Sequence, residues 1–322
     1  MLRTALTQRW SLRHPILNAP MTPAAGADLA RAVSRAGGLG VFGLDWREDP
    51  ASVASQLAAL RAAPEVSFGV GVVAWALDEA PHLLEMAIAA RPRFVCLSFG
   101  KLAPLTDRLR TAGVEVIAQV QGRATAIEAV RAGATAIVAQ GTEAGGHTGH
   151  VGSLTLLQAV LDAVDVPVLA AGGIGSARGV AAALAAGADG VWVGTAFLFA
   201  TEARVPEGAR ARLRSANEGD TLLTHAFDRV QGTAWPERFP GRALRNRFTD
   251  QFHGREDAID VDARAQFAAA KQSGNYDIAN VYAGEAVGLS DQIQPAAAIV
   301  RNLAEGAEEL LRDRSRSLLD VS

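Results

Sequence analysis

The run Val166-Pro-Val-Leu-Ala-Ala-Gly-Gly-Ile-Gly175, continued by Ser176 to Ala186, Gly187 and Gly190-Val-Trp-Val-Gly-Thr195, decides how this chain folds. Val166 to Ala171 is apolar along its length, the pattern of a strand buried on both faces. Ser176 to Ala186 is helical in composition, and Gly187 closes it. Gly190 to Val193 is apolar again. Strand, helix and strand in this order belong to a parallel α/β arrangement.

Upstream the same alternation recurs. Strands are read at 15–20, 39–42, 68–73, 94–98, 114–120 and 134–139. Helices are read at 24–36, 49–63, 78–90, 104–112, 123–132 and 153–164. Asp49 is a natural N-cap, and Pro50 fits the first helical position. With 166–171 and 190–193 this makes eight strands in roughly 195 residues, which predicts a closed (β/α)8 barrel. A doubly wound sheet normally uses fewer strands, and no G-x-G-x-x-G follows the first one. After Arg204 the alternation stops. Residues 205–282 read as a mostly helical insertion covering the substrate side, and 283–322 return to the barrel formed by 1–204, with Pro295 to Leu318 as its closing helix.

The chain has 322 residues, 49% hydrophobic and 20% charged, which describes a globular protein with a large core. A net charge of −3 gives no reason to expect nucleic acid or an anionic membrane as partner. The single cysteine, Cys96, lies in an apolar run, excludes an intrachain disulfide, and reads as packing. No apolar signal core or membrane-length run is present, so the expectation is a cytoplasmic protein.

Barrel chemistry sits at the C-terminal ends of the strands. Here those ends are rich in glycine, amides and hydroxyls and poor in carboxylates. Paired carboxylates of the glycosidase kind and zinc-ligand spacing are both missing, so no metal is expected and a cofactor must carry the reaction. The loop Gln140 to Gly152 contains Gly145, Gly146, Gly149 and Gly152. It reads as pliable, and it presents His147, whose ordinary pKa lies near neutrality. Glu143 either orients His147 or caps a backbone turn. His150 reads as pointing away, Trp75 as packing or as lining the substrate pocket, Ser98 and Thr148 as flavin or substrate contacts, and Tyr282 and Ser290 as exposed hydroxyls or as reaching the ring. The loops carrying Gly172, Gly173, Gly194 and Thr195 follow strands seven and eight, where barrels hold phosphate on backbone N–H groups at helix starts.

Four stretches resemble the nitronate monooxygenases, formerly 2-nitropropane dioxygenases: Pro15 to Met21, Gln140 to Gly149, Pro167 to Ile174 and Gly187 to Phe197. A weaker echo lies at Val281 to Gly288. The Glu143-Ala-Gly-Gly-His147 motif is also shared with the flavin-dependent enoyl-ACP reductases. The resemblance implies a TIM barrel using FMN, with Asn18, Ala19 and Met21 beneath the flavin ring. Gln119 and Gln140 would reach the ring or ribityl chain, and Gly145 and Gly146 would line the cofactor. Gly172, Gly173, Gly194 and Thr195 would hold the phosphate, and His147 would be catalytic. Asn18-Ala-Pro-Met21 departs from the Gln-Gly-Gly-Met of the reductases and favours the nitronate branch. The implied reaction is oxidation of alkyl nitronates, and of nitroalkanes if His147 removes their α-proton, by dioxygen to carbonyl compounds and nitrite. The alternatives are an NAD(P)H-dependent enoyl thioester reductase and a barrel that binds a phosphorylated ligand without redox chemistry. A homodimer is compatible with all three.

Overall fold

The computed structural model describes residues 1–63 and 65–319. The strands are β1 (Ile16–Asn18), β2 (Gly40–Gly43), β3 (Phe68–Val73), β4 (Phe94–Ser98), β5 (Glu115–Val120), β6 (Ile137–Gln140), β7 (Gly146–His147), β8 (Val168–Ala171), β9 (Gly190–Val193), β10 (Thr221–Thr224) and β11 (Gly241–Leu244). The helices up to the last barrel strand are α1 (Ala5–Trp10), α2 (Ala27–Arg35), α3 (Pro50–Arg61), α4 (His82–Ala89), α5 (Ala103–Thr111), α6 (Arg123–Arg131), α7 (Ser153–Leu161) and α8 (Ala177–Ala185). Beyond it come α9 (Glu207–Arg214), α10 (Ala226–Gln231), α11 (Arg247–Phe252), α12 (Val261–Ser273) and α13 (Ala296–Leu319).

Eight strands form one parallel sheet in the order β1-β9-β8-β6-β5-β4-β3-β2. Its two edges meet. Leu17 bridges Leu39 in parallel, and the Leu39 amide donates to the Ile16 carbonyl at 3.0 Å. One residue further, the Asn18 side chain completes the seam as a surrogate peptide. Its Oδ1 accepts from the Val41 amide at 2.9 Å and its Nδ2 donates to the Val41 carbonyl at 2.8 Å. The sheet is thereby closed as a (β/α)8 barrel.

The strands are apolar throughout because both faces are buried. In β4, Phe94 and Cys96 point inside with Leu17, Ile117, Val138, Leu169 and Trp192. Val95 and Leu97 point out against the helices. Gly69 makes room for this interior, since a Cβ there would lie 2.4 Å from the Phe94 ring. Burial pushes the Cys96 thiol up, so it stays an inert packing group. The lead-in before β1 is α1, started by a Thr4–Thr7 capping box. Trp10 stacks on Phe94 at 5.0 Å and closes the end of the barrel where the strands begin. That leaves the opposite end for chemistry.

The segment 205–282 is mostly helical, with α9 to α12, but it also carries two short strands that were not expected. Thr221–Thr224 and Gly241–Leu244 pair antiparallel, and Gly241 and Arg242 pair in turn with His147 and Gly146. Its helices share an aromatic core of Phe227, Phe248, Phe252 and Phe267. α13 returns to the barrel and packs against α8 and α2. Among the described residues no helix is long and apolar enough to cross a membrane.

Candidate functional site

The loop after β6, read as pliable from its glycines, is tied by several side-chain hydrogen bonds. Gln140 Nε2 donates to the His147 carbonyl at 3.1 Å, and Gln140 Oε1 accepts from Gln119 at 3.1 Å and Gln121 at 2.8 Å. Thr148 Oγ1 donates to the Gly141 carbonyl at 2.9 Å. The Glu143 carboxylate accepts from the Ser153 amide and, at 2.8 Å, from its hydroxyl, so it caps the start of α7. Of its two expected roles this is the one the geometry gives it. Gln140, Glu143 and Thr148 are thus spent on protein partners, and pairing with β11 fixes the backbone at His147.

His147 therefore has one orientation. Its Nε2 lies 3.0 and 3.1 Å from the two carboxylate oxygens of Asp228 on α10. The side chains are 8% and 7% exposed, so the pair is shielded from water. A carboxylate only accepts, so Nε2 carries the hydrogen and Nδ1 keeps the lone pair. Burial lowers the His147 pKa from its ordinary value, while the hydrogen bond and charge of Asp228 oppose the drop. The result is a neutral imidazole at pH 7 with a counter-charge ready for its protonated form. Such a dyad can accept a proton. Tyr282 packs 5.6 Å from the imidazole centroid, and burial pushes its phenol up, so it stays protonated.

Aromatic rings surround the histidine. Trp235, in the loop between α10 and β11, stacks face to face on it, 3.5 Å between centroids and 6° between planes. Trp75 and Phe99 meet Trp235 edge-on at 5.2 and 5.1 Å, and Trp46 reaches it at 6.5 Å. Trp75, read either as packing or as lining the pocket, lies in the wall of the site.

The loops after β8 and β9 are built differently. Gly172 and Gly173 take φ of +97° and +69°, values that ordinary side chains rarely adopt. Among the described residues no protein acceptor takes the amides of Gly172, Gly173 or Gly194. Just beyond, Ser176 starts α8, whose first amides point the same way as any helix N-terminus. A Cβ on Gly194 would meet Met21 Sδ at 3.6 Å and the Ala19 Cβ at 3.7 Å, which brings those three residues together. The Thr195 hydroxyl accepts from the Gly284 amide at 2.8 Å. Gly284 also packs on Gly145 and the Glu143 carbonyl. One rim thus joins the loops after β6, β8 and β9. Free amides, positive-φ glycines and a helix start fit the phosphate of a flavin nucleotide. Asn18 is different: both ends of its amide are used in the barrel seam, so only its backbone is left for a ligand.

Comparison with known proteins agrees with this architecture. The family model described as nitronate monooxygenase matches residues 76–306. A nitronate monooxygenase of Neurospora crassa is 33% identical, aligned over 92% of this chain and 90% of that protein. A Rhodococcus jostii protein, named (3aS,4S,5R,7aS)-5-hydroxy-7a-methyl-1-oxo-octahydro-1H-indene-4-carboxyl-CoA dehydrogenase, is 37% identical over 70% of this chain. That match spans 64% of the Rhodococcus protein's length. The structure of FabK from Thermotoga maritima superposes with a TM-score of 0.87 at 29% identity, over 99% of this chain and 100% of that one. The fold and the site define a flavoenzyme-type barrel oxidoreductase. The chain belongs to the nitronate monooxygenase family.

Sequence reasoning missed Asp228, Trp235 and Arg242. Arg242 is buried on β11, donates from Nε to the Thr142 carbonyl at 2.8 Å, and pairs through Nη1 with Glu285 at 3.0 Å. One signal was available for Asp228. It sits between Phe227 and Val230 on a short amphipathic stretch, where a carboxylate on the apolar side needs a buried partner. His150 is exposed, as its reading required.

Proposed function

We propose that this protein oxidises alkyl nitronates with FMN and dioxygen, giving carbonyl compounds and nitrite, and that it also accepts nitroalkanes. The observation that carries the reading is the shielded His147–Asp228 pair beside a rim of free glycine amides. The amides of Gly172, Gly173 and Gly194, with the start of α8, would hold the FMN phosphate. Ala19, Met21, Gln119, Gln140, Gly145 and Gly146 would line the rest of the cofactor, and Thr195 would fix the rim through Gly284. Bound FMN would supply electron acceptance from the substrate carbon and delivery of those electrons to dioxygen.

The chain's own part is proton transfer and placement. His147 Nδ1 takes the α-proton of a nitroalkane, and the Asp228 carboxylate stabilises the imidazolium that results. A nitronate arrives already deprotonated. For it, His147 needs only to orient the anion. Apolar walls exclude water and strengthen each polar contact.

A second reading is reduction of an unsaturated acyl thioester by NAD(P)H. The likeness to FabK and to a protein named as a CoA-ester dehydrogenase supports it. The deciding experiment is nitrite release from an alkyl nitronate by the FMN-loaded protein in air, beside His147→Ala. Stoichiometric nitrite and carbonyl product support the first reading. Absence of nitrite, with NAD(P)H consumed on an enoyl thioester, replaces it with the second.

A further inference from the structure

The indole of Trp235 covers one face of the imidazole on which the chemistry is proposed to depend. The two rings are parallel at 3.5 Å, so nothing can lie between them. The other rings near it stand steeply to its plane: Trp75 at 78°, Phe99 at 83° and Trp46 at 64° between planes. The indole is thus a flat apolar body standing in a slot with aromatic walls, with its face on His147. A buried indole usually pairs its N–H. The buried Trp235 Nε1 has no partner among the described residues, and neither has Trp75 Nε1. No side-chain hydrogen bond therefore holds the Trp235 indole, and it can leave without breaking one. It belongs to an irregular stretch between Gly232, in the left-handed conformation, and Pro240, with no ladder of its own.

We propose that Trp235 is the specificity-determining residue of this site: it swings off His147 when substrate enters, and the preferred substrates carry a flat or cyclic apolar group that takes the indole's place against Trp75, Phe99 and Trp46. Small aliphatic substrates fill the slot poorly and leave the indole in competition for the histidine face. The two unpaired indole N–H groups offer donors to the oxygens of a bound nitronate or carboxylate. This inference rests on His147 as the reacting group, so its test needs a readout that does not depend on turnover.

The first measurement is binding. Phenylacetate and acetate serve as planar anionic probes, titrated against tryptophan fluorescence in the wild type and in Trp235→Phe. Phenylacetate is expected to bind at least about tenfold more tightly than acetate, with most of the signal lost in Trp235→Phe. The second is kinetic, with the nitronates of nitroethane and 2-phenylnitroethane. Trp235→Ala should lower KM for both substrates, about fivefold or more for the phenyl one, because neither then has to displace the indole. The third is NMR titration of His147. Its neighbours Asp228, His225, Tyr282 and Arg47 are unchanged in Trp235→Ala, and loss of the covering ring should raise its pKa. Far-UV circular dichroism checks that both variants fold. A rise in the phenyl KM on Trp235→Ala would make the indole a fixed wall and overturn the proposal, as would equal binding of the two probes. If neither nitronate is turned over but phenylacetate still moves the Trp235 signal, the slot assignment stands and the nitronate reading fails.

Discussion

Two glycine-rich loops flank the mouth of this barrel, and they use glycine for opposite ends. In the loop after β6, Gly145 lets another part of the protein approach: a Cβ there would lie 2.5 Å from the Gly284 amide. Around it Gln140 and Thr148 bond the His147 and Gly141 carbonyls, Glu143 takes the Ser153 amide, and β11 pairs with the histidine. In the loop after β8, Gly172 and Gly173 turn their amides away from any protein acceptor among the described residues. Glycine content thus reports close approach. The partner decides whether the outcome is a platform for the proposed base or a set of amides left for the proposed phosphate. Ser153 lies between the two, its one hydroxyl hydrogen within reach of the Glu143 carboxylate at 2.8 Å and the Gly172 carbonyl at 3.0 Å.

The sharpest way to break this contrast is to remove the chemistry from the first loop alone. His147→Ala should cut oxidation of neutral nitroalkanes by roughly 10²–10⁴-fold, and Asp228→Asn by roughly 10²-fold, as expected for loss of a positioned base and its counter-charge. Preformed nitronates should lose far less in both variants. Steady-state nitrite assays on the two substrate forms measure the difference, and FMN affinity should stay unchanged. Equal losses on both forms would remove proton abstraction from the account.

The converse change strikes the second loop. Gly173→Ala strains a φ of +69° and disturbs the free amide. FMN should then bind roughly tenfold to a hundredfold more weakly, the worth of one charge-assisted hydrogen bond, by equilibrium dialysis. Gly145→Ala, in the first loop, should instead cost about 1–3 kcal/mol of stability through overpacking against Gly284. Thermal unfolding reads that as a drop of about 2–4 °C for each kcal/mol. If Gly145→Ala weakened FMN as much as Gly173→Ala, the two loops would not differ in kind.

The smallest effect is the pH dependence. The His147 pKa in the folded protein is below 6.5, so its neutral form persists as pH falls to that depressed value. Nitroalkane kcat/KM should be flat above pH 6.5 and decline only below it. In the window between the folded value and 6.5 the unfolded chain binds the extra proton, so stability rises with pH there and is lost as pH falls. Activity that instead declines as pH rises through neutrality would mean that the protonated form is the working one.

The barrel was legible because its strands are buried on both faces, so eight apolar runs separated by helices left one architecture. The glycines after β8 and β9 were legible as turns for a related reason, since Gly172, Gly173 and Gly194 sit at strand ends, and the first two take positive φ there. What escaped lies in contacts between distant segments. The four-residue strands β10 and β11 have no length of alternation to betray them, and they exist because they pair with each other and with His147. Asp228 is 81 residues from its partner, and nothing local to either residue names the other. The loop after β6 looked mobile for the same reason. Its glycines are visible in sequence, but the side chains and strand that pin it are contributed by folding.

The most direct test of the central claim is anaerobic mixing of the FMN-loaded protein with an alkyl nitronate, and separately with NADH and NADPH, while the flavin absorbance near 450 nm (roughly the usual flavin band) is followed. The account predicts rapid bleaching with the nitronate and none with either nicotinamide. Bleaching by a nicotinamide alone would contradict it and assign the site to thioester reduction.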